Sequence, residues 1–558
     1  MFKIFLLFHY FLAVLGFTPL EYTTRDGKII GKSNSKFTSV TEFLGIPFAK
    51  PPTGNLRFKP PQQLKKVVPS DPFYADKPAN TCLYAYEKSF YYGFKGYDFW
   101  HPKSLTQSED CLQLNMWVPE NHDGSVLVFV FGNGYDSGSP SLRVFNGAAL
   151  AYSAGVIVVN LNYRLGVLGF GYLNGHKDMP GNMGLLDQQM GLKWVYDNIE
   201  SFGGNKKKIT LFGSGTGASS VTAHLFAPGS EKYFIRLIAN SGTMLNTWSF
   251  QKTSMASLNL LALAKKFKCT GSDIQIIRCL REAKSIVNPD QSPLVQPFIP
   301  VESEDNFFMR NIRKKLFKRE MKKDCDVMLG VTKDEASYLM PQFLKGTYYG
   351  CNFKKDKELE SKGNMCLMNE THFNNVVKLI GFYHKYPKED LDLLYKTYAD
   401  KTVKEPRDWT KKLLSDFIFK CDIATFGMNY LSRVEGSKYF YQLNRMPRVS
   451  HWPKWMGVVH GYELLYEFGY IRTHWRYYSR SVRAKEKSLA IKMMKLIVQF
   501  VKIGKLPIKW KQFDKNDVPV AFIDDKYSSE RGPSSVKSAL TEGCKVIRKI
   551  QIKHPNIN

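Results

Sequence analysis

Two unbroken apolar runs, at residues 126–131 and 156–159, stand out along the chain. β-Branched residues are frequent in both and neither alternates with polar positions, so each predicts a strand buried on both faces in the middle of a sheet. From 183 to 199 the apolar residues return instead at helical intervals. That pattern stops at Gly203 and Gly204, a helix terminus just ahead of another apolar strand beginning at Ile209. Strands alternating with helices predict an α/β fold, a large and mostly parallel central sheet flanked by helices. No internal repeat, low-complexity tract or Gly/Ser linker breaks the sequence, so a single domain with long insertions is expected.

The 558 residues are 44% hydrophobic and 23% charged, the balance of a globular chain with a sizeable core rather than a disordered one. Residues 1–18 carry Lys3, an apolar run from Ile4 to Leu15 and small residues around Gly16. This reads as a secretory signal peptide, ahead of the alternative of a buried first strand, and it places the mature chain outside the cell under oxidising conditions. No later run reaches the length of a spanning helix, and the tail shows no lipid-anchor pattern. The formal net charge of +29 favours polyanions or acidic membrane surfaces. Much of the excess is dispersed, with concentrated pieces at Arg310, Arg313, Lys314, Lys315, Lys318, Arg319, Lys322 and Lys323, and at Arg472, Arg476, Arg480, Arg483, Lys485 and Lys487. Each group reads either as a solvated helix face or as a patch for glycosaminoglycan or lipid headgroups. Nucleic acid is not expected, because no recognisable binding module accompanies the charge.

The most telling segment is 209–218 (ITLFGSGTGA), with the layout of strand, tight glycine turn and helix start of a Gly-x-Ser-x-Gly nucleophile elbow. Its apex is Gly215, which has no side chain. An apex without a hydroxyl forms no acyl-enzyme by the usual route.

Longer stretches carry a resemblance. Residues 45–58 (GIPFAKPPTGNLRF), 108–115 (SEDCLQLN), 162–170 (NYRLGVLGF) and 181–188 (GNMGLLDQ) are similar to signatures of the type-B carboxylesterase and cholinesterase family of α/β-hydrolases, over about Leu20 to Cys544. The resemblance implies the α/β-hydrolase fold over 19–552, between the signal peptide and a short tail at 553–558. It implies structural ion pairs Arg57–Glu109 and Arg164–Asp187, and disulfides Cys82–Cys111, Cys269–Cys279 and Cys421–Cys544. Cys351 and Cys366 are candidates for a further bridge, which leaves Cys325 of the nine cysteines as a buried thiol. Asn369 heads the one standard glycosylation sequon found.

By the same resemblance Glu335, in 331–337 (VTKDEAS), takes the acid slot of a Ser-Glu-His triad and His460, in 455–463 (WMGVVHGYE), the base slot. Gly215 stands where the serine belongs, so Glu335 and His460 are expected to persist as a hydrogen-bonded remnant. The oxyanion-hole positions are Asn133, Gly134 and Thr216. Asn133 replaces a glycine, and its side chain is expected to crowd the hole; the Thr216 amide needs no particular side chain. Trp100, Tyr338, Trp452 and Trp248 match positions of a cholinesterase-like pocket, read either as a ligand site for a choline-like cation or as core packing. Ser214, where cholinesterases carry an acid, and the stretch 294–298 (LVQPF), poor in aromatics, weaken the choline reading. No metal and no cofactor are expected. The functional expectation is a secreted, non-catalytic protein that binds a small ester or choline-like ligand or a protein partner, with a weak or atypical ester hydrolase as the alternative. A homodimer through a carboxy-terminal helix around 534–552 is a further implication of the resemblance.

Overall fold

The computed structural model describes residues 20–24, 27–65, 71–85, 90–284, 286, 296–527 and 532–554. The predicted signal peptide, the end of the tail and residues 294–295 of the 294–298 stretch lie outside them. Eight strands form the centre of the large sheet: β1 (Gln113–Pro119), β2 (Val126–Val130), β3 (Ile157–Leu161), β4 (Ile209–Ser214), β5 (Arg236–Asn240), β6 (Asp326–Thr332), β7 (Lys438–Leu443) and β8 (Pro519–Ile523). Their order is β1-β3-β2-β4-β5-β6-β7-β8, and every pairing from β3 to β8 is parallel. β1 runs antiparallel to β3. Antiparallel strands extend both edges, including Gly27–Ser33 and Val40–Pro47 on one side and Ser535–Ser538 on the other.

The two apolar runs are β2 and the strand β3 with the residue before it, and every residue of both strands is buried, as a sheet covered on both faces requires. The helices used below are α1 (Lys95–Trp100), α2 (Met183–Asn198), α3 (Thr216–Ala223), α4 (Tyr462–Glu467), α5 (Tyr470–Thr473), α6 (Arg480–Ile503) and α7 (Glu542–Lys553). α2 occupies the predicted helical stretch, and its Gly191 lies against the Leu161 side chain of β3. α3 follows β4 so tightly that a Cβ on Gly217 would come within 2.1 Å of the Val130 carbonyl. That close approach holds the start of α3 against the end of β2.

Four disulfides form: Cys82–Cys111, Cys269–Cys279, Cys351–Cys366 and Cys421–Cys544. Cys325 is free and buried, and burial pushes its thiol pKa up. The Arg57 guanidinium grips both carboxylate oxygens of Glu109 and donates to the carbonyls of Arg281 and Ala283 at 2.6 and 2.9 Å. Arg164 holds Asp187 through two bonds of 2.8 Å with both side chains buried.

Two expectations about helices need correction. The basic run at 310–323 is not one helix face: the helix covers only Ile312–Lys318 and ends where Arg319 turns left-handed at φ +58°. Within that run Lys315 and Lys322 are buried, Lys315 donating to the Phe226 carbonyl and Lys322 paired with Asp324. At the other end of the chain, 534–552 is a strand followed by α7, whose Cys544, Ile547 and Ile550 are already buried within the same chain.

Candidate active site

The parallel strands deliver the nominated residues to one edge of the sheet, outside their carboxyl ends. Gly215 directly follows β4, Glu335 lies three residues beyond β6, and His460 sits in the segment between β7 and α4. Gly215 adopts φ +59° and ψ −123°, a conformation that L side chains rarely adopt. Its amide donates to the Asn240 carbonyl at 2.8 Å and its carbonyl accepts from Ser219 at 3.0 Å, which fixes the turn. A Cβ on Gly215 would point at the His460 ring, 2.9 Å from Nε2 and 3.4 Å from Cε1.

His460 is oriented from behind. Its Nδ1 meets Glu335 Oε2 at 2.7 Å, and the ring stacks on Tyr338 at 5.7 Å between centroids. Glu335 is fully buried; its other oxygen accepts from Ser241 Oγ and from the Thr332 amide, each at 2.6 Å. Burial disfavours the imidazolium, but the hydrogen bond and charge of Glu335, with Glu463 behind, outweigh it and raise the His460 pKa above its ordinary value. With Nδ1–H directed at Glu335, Nε2 faces the space above Gly215.

Around the turn the polar side chains are bonded to one another. Ser214 Oγ donates to Glu463 Oε1 at 3.0 Å. Thr216 Oγ1 accepts from the Asn133 amide at 3.0 Å and from the Tyr135 amide at 3.3 Å. The Asn133 side chain does not crowd the hole: its Nδ2 reaches His101 Nε2 at 2.5 Å. Burial pushes His101 down to about 4, so its ring is neutral, donating from Nδ1 to the Tyr97 carbonyl and accepting from Asn133 at Nε2. The hole is altered by a different route from the one expected, since the Asn133 amide is taken by the Thr216 hydroxyl.

Aromatic rings continue outward from His460. Phe419 lies 5.1 Å from it and Trp248 5.8 Å from Phe419, with Trp248 Nε1 bonded to the Ile418 carbonyl at 2.9 Å. On the other side Tyr338 touches Trp452, which packs edge-on against Tyr91. Trp100, at the end of α1, packs on Phe99 and Phe145, and its indole would lie 3.5 Å from a Cβ on Gly461. The sequence therefore brings Trp100, Tyr338, Trp452 and Trp248 to the surroundings of His460. Asn369 is exposed and caps the helix Glu370–His384.

Four participants were not singled out from sequence. Glu463 was quoted only as the end of a motif, and Ser241, His101 and Phe419 carry no motif that marks a contact formed by folding. Glu463 and Glu467 sit one turn apart on α4 and both are buried. Glu467 accepts from Tyr441 at 2.6 Å and Asn240 at 2.9 Å. Burial with the charge of Glu335 raises Glu463, and burial with the charge of Glu463 raises Glu467.

Comparison with known proteins agrees with this architecture. The family model described as "Carboxylesterase family" matches residues 18–541. Mouse (Mus musculus) cholinesterase is 35% identical over 502 residues, covering 86% of this chain and 78% of the relative. Acetylcholinesterase 4 of Caenorhabditis briggsae is 33% identical over 517 residues, with 87% and 82% covered. Acetylcholinesterase of Electrophorus electricus is 33% identical over 546 residues, with 90% and 83% covered. With an α/β-hydrolase sheet, four disulfides and similarity along nearly its whole length, this chain belongs to the carboxylesterase family, and within it is similar to the cholinesterases.

Proposed function

We propose that this protein is a secreted, cholinesterase-like member of its family that does not hydrolyse esters through a serine and acts by binding. The observation that carries the reading is the empty apex: Gly215 directs a hydrogen, not a hydroxyl, at His460 Nε2. Loss of a triad nucleophile costs about 10⁶ in turnover. The internal bond from the Asn133 amide to Thr216 removes a further oxyanion donor, worth about 10² to 10³. Neighbouring hydroxyls do not substitute, because Ser214 is engaged with Glu463 and Thr216 with the Asn133 and Tyr135 amides. The aromatic lining of Trp100, Tyr338, Trp452 and Trp248 supports capture of a choline-like or small ester ligand, each ring contributing about 0.5 to 2 kcal/mol to a cation over its face. Four disulfides support an oxidising compartment, hence secretion.

The retained Glu335–His460 pair supports a second reading, slow hydrolysis by a water that His460 activates. A fluorophosphonate probe and an ester-turnover assay separate the two. The binding reading expects no labelled serine and no turnover above a His460→Ala control, with choline titrating in calorimetry. A labelled serine whose modification abolishes turnover overturns it, and turnover that is unlabelled yet lost in His460→Ala establishes the second reading.

A further inference from the structure

Most arginines of this chain that lie near a carboxylate are paired with one, as Arg57, Arg164, Arg281 and Arg445 show. One surface departs from that habit. Lys36, Arg143, Arg472, Arg476, Arg480 and Arg483 make no ion pair among the described residues; Lys36 and Arg143 both act on His474, and the other four flank it in sequence. Lys36 Nζ donates to the Thr473 carbonyl at 2.6 Å, beside His474. Arg472 lies over the rings of Phe37 and Tyr152 at 5.6 and 5.5 Å. Arg476 and Arg483 both lie over Trp475, at 5.5 and 4.4 Å, and Arg480 opens α6 one turn before Arg483.

The local field is positive and uncompensated: burial, then Lys36, with Arg143 adding to it, hold His474 down at about 4. The first turn of α6 carries no acidic residue, so its free amides add to the same sign. Three aromatic rings are open on this face, Trp475 at 44%, Tyr477 at 62% and Tyr152 at 49% exposure. Guanidinium groups lie across Trp475 and Tyr152. Arg472 also donates to Ser153 Oγ and Arg483 to the Tyr478 carbonyl, so both planar forks are held in place while their charge stays without a carboxylate partner.

We infer that this basic and aromatic face, built from the 36–37 turn, the helix Ala148–Ala154, α5 and the start of α6, is a docking surface for a linear sulfated polysaccharide. Charge complementarity selects the occupant. Sulfates repeated along an extended chain match guanidiniums that have no carboxylate partner, and a sugar ring matches the outer face of Tyr477, whose inner face stacks on His474. A lipid bilayer would instead ask for apolar tips clear of charge. The face is independent of the Gly215 site and of the function proposed for it.

Calorimetry of the mature chain with a heparin-derived dodecasaccharide tests the inference, with the chemically desulfated saccharide and phosphatidylserine–phosphatidylcholine vesicles as comparators. Arg476→Ala/Arg480→Ala/Arg483→Ala should weaken heparin binding by at least about tenfold and flatten its salt dependence. Arg310→Ala/Lys314→Ala/Lys318→Ala, which removes equal charge from exposed positions elsewhere, should change it by less than about twofold. Equal losses in the two triple variants would reduce the effect to diffuse net charge and overturn the inference. So would undiminished binding of the desulfated saccharide, or binding to the vesicles without binding to heparin. A thermal unfolding scan of each variant confirms that a loss is not misfolding.

Discussion

Restoring a serine at the apex tests the reading of the site most directly. In Gly215→Ser the new Cβ must occupy φ +59°, a backbone region costing an L residue about 1 to 3 kcal/mol. It must also enter a space where His460 Nε2 stands 2.9 Å away. His460 has little room to retreat, since Glu335 holds it at 2.7 Å and Tyr338 stacks on its face. Displacing it by a few tenths of an ångström adds about 1 kcal/mol or more, for a loss of about 2 to 4 kcal/mol in all. Unfolding entropy near 2.1 cal/mol/K per residue makes 1 kcal/mol worth roughly 1 °C in a chain of 558 residues, so Tm should fall by about 2 to 4 °C. The variant should acquire fluorophosphonate labelling, yet its ester turnover should stay about 10² below that of an intact hole because the Asn133 amide is bonded to Thr216. Adding Thr216→Ala should free that amide and raise turnover at least about tenfold. An unchanged Tm in scanning fluorimetry, or serine-variant turnover that Thr216→Ala does not improve, would refute the argument.

The remaining expectations concern the supporting structure. Arg164→Met leaves the Asp187 carboxylate buried and without its partner, and should cost about 3 to 5 kcal/mol, read as a Tm drop of several degrees. Cys544→Ser opens a loop of 123 residues and should cost about 4 to 5 kcal/mol in denaturant titration; a variant as stable as the parent would show that the bridge constrains little. Glu463 and Glu467 have raised folded pKa values, so their contribution is complete below the ordinary carboxyl value of 4.5 and is lost as pH rises through about 7 to 8. Glu463→Gln should therefore flatten the fall in stability between pH 5 and 8 by about 1.4 kcal/mol per pH unit of the shift it removes, and an unaltered slope would assign the fall to other groups.

The sheet was legible because its central strands are apolar on both faces, as β2 and β3 show, and because α2, buried all round in its first six residues, keeps a helical period from Gly191 onward. Gly215 could be nominated from the strand-turn-helix layout of its own segment, and Glu335 and His460 from the resemblance of their segments to family motifs. What the motifs did not disclose were partnerships between side chains far apart in sequence. Thr216 with Asn133, Asn133 with His101 and Ser214 with Glu463 form only when the β4–α3 turn, the segment after β2, the end of α1 and α4 are brought together by folding. The basic run at 310–323 misled for a related reason: composition records charge but not direction, and two of its lysines turn inward to a carbonyl and to Asp324.

The substitutions around the apex make one physical pattern. A working oxyanion hole needs amides left without protein acceptors so that they can meet charge as it develops, a costly arrangement that only turnover justifies. Here the Thr216 hydroxyl accepts one such amide, the Asn133 side chain finds His101, and the Ser214 hydroxyl gives buried Glu463 a donor. The first of these turns an amide assigned to the hole into an internal hydrogen bond worth about 1 kcal/mol, the other two satisfy buried polar side chains, and glycine at the apex carries no strained side chain. The ion pairs Arg57–Glu109 and Arg164–Asp187, which hold the fold and take no part in chemistry, are intact. Changes confined to the surroundings of Gly215, with the scaffold and the aromatic rings around His460 retained, are the pattern that the proposed binding role would leave.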